Sequence, residues 1–104
     1  MPSYRVTLTV GALRAGVDPG SLLPAASAAA RTRTTVEASD LAVVRGAAQI
    51  TVRFAATADL EAVAVARGVV AAAAELATMG APTLAMRDGG RWRPVPGLGP
   101  VRTA

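Results

Sequence analysis

The chain of 104 residues carries eleven positive charges, all arginine, against seven carboxylates; it has no histidine, cysteine or lysine, and alanine fills about a quarter of its positions. Without imidazole, thiol or amine the usual general bases and nucleophiles are missing, and neither disulfides nor transition-metal sites of nitrogen and sulfur ligands can form. A net charge of +4 with a pI near 11.4 makes an anion the natural electrostatic complement, while the length suits one domain that buries a core without covalent staples. The lack of cysteine, and an opening Met1-Pro2-Ser3-Tyr4-Arg5 that shows no basic leader, apolar segment and cleavage site, predict an unexported, cytoplasmic protein.

Residues 4 to 10 alternate, with Tyr4, Val6, Leu8 and Val10 on one side and Arg5, Thr7 and Thr9 on the other, which predicts a half-buried strand. Gly11, Gly16, Asp18, Pro19 and Gly20 then mark a loop. A helix follows, with two competing entry signals at Asp18-Pro19 and Leu23-Pro24 and a strongly helix-forming run from Ala25 to Ala30. Residues 34 to 44 read as a strand that bulges or is interrupted at Ser39-Asp40. Arg45-Gly46-Ala47 reverses the chain into a second strand, residues 49 to 55, where Ile50, Val52 and Phe54 alternate with Thr51 and Arg53.

Thr57 is placed to cap the next helix, Asp59 and Glu61 favour its N-terminal end, and Gly80 marks its stop, giving about twenty residues. Ala62, Val65, Val69, Ala72, Leu76 and Met79 form its apolar stripe, yet Leu60, Ala64, Ala71 and Ala74 leave the opposite side only partly polar. Glu61, Arg67 and Glu75 each cost at least about 2.5 kcal/mol at mid-bilayer, so no membrane span is predicted. Thr83 to Arg87 forms a further strand, and Asp88-Gly89 turns it back through Arg91, Trp92 and Arg93. The predicted fold is therefore α+β: a ferredoxin-like βαββαβ antiparallel sheet with two helices on one face, plus an extra C-terminal hairpin strand. Residues 1–95 form the single domain and 96–104 a flexible Pro/Gly-rich tail.

Chemistry is sparse. Gly11 and Gly16 have phosphate-loop spacing, but Val17-Asp18 stands where Lys-Ser/Thr is required, so the match fails. Asp18, Asp59, Glu61 and Asp88 have capping or turn roles; Glu37 and Asp40 share a strand region in which a bulge would bring them to one face. Neither cofactor nor metal is predicted. Two basic surfaces remain as ligand-binding candidates: Arg5 and Arg53 on the sheet face away from the helices, joined by Arg87 if Leu84 and Met86 point inward, and the hairpin with Arg87, Arg91, Trp92 and Arg93. RNA-recognition modules of this topology stack bases on sheet-face aromatics; here those positions are Arg and Thr. The sequence thus predicts a non-catalytic binding or assembly module, a homodimer joined through the sheet face or the second helix. Two other readings stay open: a nucleic-acid or polyanion binder, and an enzyme with its cavity between protomers.

Overall fold

A computed structural model describes residues 1–98 of the chain. Its elements in order are β1 (Ser3–Leu13), a 3-10 turn (Pro19–Ser21), α1 (Leu22–Arg31), β2 (Val36–Val44), β3 (Ala47–Ala55), α2 (Asp59–Ala74), β4 (Ala77–Met79), β5 (Thr83–Asp88) and β6 (Arg91–Pro94). The strands make one antiparallel six-stranded sheet in the order β2-β3-β1-β5-β6, with β4 alongside the far end of β1. The class is α+β, with both helices on one side of the sheet.

Period-two alternation builds the core. Tyr4, Val6 and Leu8 of β1 stand opposite Phe54, Val52 and Ile50 of β3, and Leu84 of β5 stands opposite Val6. All seven are buried in one cluster with Leu22, Ala26 and Ala30 of α1 and Ala62, Val65, Ala66, Val69 and Ala73 of α2. Among the largest fully buried side chains, only Val65 and Val69 come from a helix; the others, Tyr4, Phe54, Leu8, Ile50, Val6 and Val52, come from β1 and β3. At about 1.5–3 kcal/mol for each such side chain, the two central strands supply most of the apolar driving force. The helices contribute closeness, since alanine lets their backbones approach the sheet.

Tyr4 ties this core to α2. Its ring packs beside Phe54 with centroids 6.1 Å apart and planes 16° apart, and its hydroxyl donates to Asp59 Oδ1 at 2.8 Å. Arg93 Nη2 lies 3.6 Å from that same oxygen, which links β6 to the start of the helix.

Several boundaries differ from those expected. The second helix stops at Ala74 instead of reaching Gly80. Arg14 donates from Nε and Nη2 to Ala74 O at 3.0 and 2.7 Å, satisfying a terminal carbonyl, and the overhang of β1 beyond residue 10 recruits Ala77–Met79 as an added strand. The Gly80 N–H then bonds Thr9 O at 2.8 Å and caps no helix. β1 continues through Gly11, where any Cβ would strike the Thr78 hydroxyl, so the close β1–β4 approach requires glycine there. The helix N-cap is Ala58, not Thr57, whose hydroxyl donates to Glu61 Oε2 at 2.7 Å. Asp18 caps the 3-10 turn by accepting the Gly20 N–H at 2.9 Å, and α1 begins at Leu22. The bulge lies at Glu37, between Val36 and Ala38, instead of at Ser39-Asp40. Between β5 and β6 the two-residue turn is Gly89-Gly90, because Asp88 pairs with Arg91. Arg45 and Gly46, with φ of 52° and 79°, make the tight β2–β3 reversal as expected.

Of the tail expected over 96–104, residues 99–104 lie outside the described residues. Val95 is buried, its N–H bonding Leu84 O at 2.8 Å, and Arg67 Nη2 donates to Gly97 O at 2.9 Å while Leu98 packs half-buried on the core. These contacts carry packing past residue 95. No described helix is long and apolar enough to cross a membrane.

One buried group lacks a partner. Ser27 Oγ in α1 is buried with no hydrogen bond among the described residues, and an unsatisfied buried hydroxyl costs about 1–3 kcal/mol. Ser27→Ala removes that cost and improves helix propensity. The variant is expected to gain about 1 kcal/mol and to melt about 4–8 °C higher; a lower Tm in a thermal scan would mean that the hydroxyl is satisfied.

Candidate functional site

The side of the sheet away from the helices carries the alternate residues of the same strands. Arg5 and Thr7 of β1 stand opposite Arg53 and Thr51 of β3. Leu84 and Met86 of β5 align with Val6 and Tyr4 on the helix side, so Arg87 turns to the open side, where it is paired with Trp92 of β6. Between these rows Ala85 faces Arg5 in register. Its small side chain leaves room for the indole to extend toward the centre of the sheet.

The result is a convergence of three guanidinium groups on one ring. The Cζ atoms of Arg5, Arg53 and Arg87 lie 4.4, 5.4 and 5.7 Å from the Trp92 ring centroid, within the range of cation–π attraction. Like charges directly opposite on neighbouring strands are destabilising, and Arg5 faces Arg53 directly. Two features offset the repulsion. The π-face of Trp92 is one; the other is Glu37, whose Oε1 pairs with Arg53 Nε at 2.9 Å while the Ser3 hydroxyl donates to both its oxygens at 2.7 and 3.0 Å. Arg87 Nε donates to Gly89 O at 3.0 Å. Arg5 and Arg87 have no ion-pair partner among the described residues.

Beside the ring lies an open recess of about 220 Å³ lined by Arg5, Arg53, Arg87, Trp92, Thr51, Asp40, Ser39 and Ala38. Thr51 Oγ1 is 3.4 Å from Thr7 Oγ1 on its floor. Asp40, opposite Thr51 in register, sits on the β2 wall. With Glu37 and Asp40 set against three arginines, the seat keeps a local charge excess of one.

The two basic surfaces expected from the sequence are therefore largely one. Arg5, Arg53, Arg87 and Trp92 come together. Arg91 lies at the start of β6 opposite Asp88 and does not line the recess. Arg93 is on the helix side, where Nη2 contacts Asp59 and lies 3.3 Å from Met86 Sδ. Sequence reasoning left Thr51, Ser39 and Ala38 out of the site and left Glu37 and Asp40 without a role. Alternation from Val36, opposite Phe54, already sets Glu37 on the open face beside Arg53; the bulge at Glu37 is what brings Asp40, opposite Thr51, to that same face, as an intervening irregularity was expected to do. Arg14, just past the end of β1, is occupied at the end of α2. No cluster of acidic side chains able to hold a metal occurs among the described residues.

Comparison of this chain with protein-family models, with curated proteins and with solved structures gives no match.

Proposed function

We propose that this protein is a non-catalytic binding module that holds a small anion on the open face of a ferredoxin-like sheet. The observation that carries the reading is the direct opposition of Arg5 and Arg53, with Arg87 converging on the same indole. An anion seated between these groups relieves their mutual repulsion, and arginine recognises carboxylate or phosphate through paired donors. The strand order supports the ferredoxin-like description: β2-β3-β1-β5 reproduces the order of a split βαβ sheet, to which β4 and β6 are additions.

Size and charge favour a compact ligand over a nucleic-acid strand. The recess, at about 220 Å³, is smaller than the roughly 300–1,000 Å³ of drug-sized ligand sites. Asp40 on its wall repels an extended phosphate backbone, and Trp92 is already faced by arginine, so no free aromatic platform is left for stacking bases. The groups offered are guanidinium, hydroxyl and one carboxylate, a set suited to holding a ligand.

The lone tryptophan of the chain is a built-in reporter. Titration of the protein with inorganic phosphate and with citrate at low salt is expected to give a saturable change in Trp92 fluorescence. Arg5→Ala should weaken it about tenfold, since a hydrogen bond to a charged group contributes about 1.5–3 kcal/mol, whereas Arg91→Ala should leave it unchanged. A flat titration, or one indifferent to Arg5→Ala, would reject the reading. Tight, steeply salt-dependent binding of a single-stranded oligonucleotide would replace it with the polyanion reading.

A further inference from the structure

We propose that the outer edge of β2 pairs antiparallel with the same edge of a second copy of this chain, continuing the sheet through a two-fold axis at Leu41. The proposal is independent of the anion seat.

The two outermost strands of the sheet, β2 and β6, present edges that are built differently. The β6 edge has four residues, begins with Arg91, carries Arg93 and ends at Pro94, which has no N–H to donate. These are the devices that blunt an edge. The β2 edge runs for nine residues, contains no proline and no cation, and its bulge at Glu37 leaves Ala38–Val44 regular. No other described strand pairs with its outer side. This regular stretch is also apolar where it is uncovered: Leu41 and Val43 align with Ile50 and Ala48 on the helix side, yet they are 44% and 71% exposed.

The strand complements itself. A two-fold axis normal to the sheet keeps each residue on its own face, so helix-side side chains meet helix-side side chains. With the axis at Leu41, Leu41 meets the partner's Leu41, Val43 meets the partner's Ser39, and Ala38 meets the partner's Val44. The ends close with opposite charges, since Glu37 comes opposite the partner's Arg45. Moving the axis one residue to Asp40 would face two carboxylates directly, which is unfavourable. Both copies then present their arginine seats on one continuous face, and only the blunt β6 edges and the three-residue β4 edges remain, so assembly stops at two.

The other surfaces offer less. On the exposed side of α2 the one large apolar side chain is Leu60, at 85% exposed, among Ala64, Arg67, Ala71 and Glu75. Stacking two open sheet faces would set arginines against arginines.

Light scattering at tens of micromolar is expected to give twice the chain mass for the protein. Val43→Lys, which places a charge on the pairing edge at a largely solvent-exposed position, is expected to halve that mass while leaving the far-ultraviolet circular dichroism unchanged; Leu60→Glu should stay paired. Because the chain has no cysteine, Leu41→Cys tests the register without disturbing charge. Residues directly opposite on antiparallel strands lie within disulfide reach, so mild oxidation should link Leu41→Cys chains covalently and leave Leu60→Cys chains unlinked. A protein of single-chain mass, a species heavier than two chains, Val43→Lys that folds and remains paired, separation by Leu60→Glu, or failure of Leu41→Cys to link would each overturn the proposal.

Discussion

Phe54→Ala is expected to remove about 3–5 kcal/mol of stability, the usual cost of emptying a buried aromatic site. Domains of this size hold only about 5–15 kcal/mol in total, so the variant should unfold early in a denaturant titration or fail to fold at 37 °C. Phe54 is fully buried at the middle of the sheet and packs against Tyr4. The neighbouring helices offer mostly alanine and valine, whose short side chains cannot reach into the vacated space. The midpoint of chemical denaturation measures the effect, and a loss under about 1 kcal/mol would contradict the burial described for this ring.

Alkaline pH is expected to destabilise the protein through a single group. Burial, reinforced by the hydrogen bond to Asp59 and its negative charge, pushes the Tyr4 hydroxyl up from 10.0 to about 12, with Arg93 opposing. The unfolded chain therefore releases this proton first. Stability from the neutral hydroxyl is fully present below pH 10 and is lost as pH rises through about 12. The chain has one tyrosine and neither lysine nor cysteine, so Tyr4 is its one side chain of a type that ordinarily ionises near pH 10. Denaturation midpoints should be level from pH 9 to pH 10 and then fall with the slope of one proton. Tyr4→Phe keeps the ring, is expected to cost about 1 kcal/mol for the lost hydrogen bond, and should flatten the curve above pH 10. A Tyr4→Phe profile as steep as that of the parent would locate the alkaline sensitivity elsewhere.

What the sequence revealed follows from where local signals are strong. Alternation in β1 and β3 is unbroken, so it identified Tyr4, Val6, Leu8, Ile50, Val52 and Phe54 as core and Arg5 and Arg53 as open-face residues. The turn at Arg45-Gly46 was legible because its backbone conformation favours glycine. The end of α2 was not: Ala74 to Met79 keeps an apolar, helix-compatible composition, and the helix is stopped by Arg14, sixty positions earlier in the chain, together with the overhang of β1. At the candidate site the basic residues were visible, but their union was hidden. Trp92 reaches Arg5 and Arg53 across Ala85, and this depends on a register between β5 and β6 set by the Gly89-Gly90 turn, one residue later than the Asp88-Gly89 signal suggests. The placement of Asp40 on the same face as Glu37 depends likewise on a bulge that shifts a single residue, which alternation alone cannot position.

The alanine surfaces of α1 and α2 have a consequence for how the protein can drift. A helix that meets its neighbours through Ala26, Ala30, Ala62, Ala66 and Ala73, all buried, is already near the lower limit of side-chain volume. Almost every replacement at these positions adds atoms, so variation there is one-directional: the strands can lose bulk, whereas the alanine positions of the helices can only gain it. Adding methylenes to a packed contact costs about 1–3 kcal/mol, and adding several in one helix would push it away from the sheet as a unit. Tolerated divergence in this protein should accordingly gather on the solvent side of α2 and at the chain reversals, while the inward alanines stay alanine or glycine.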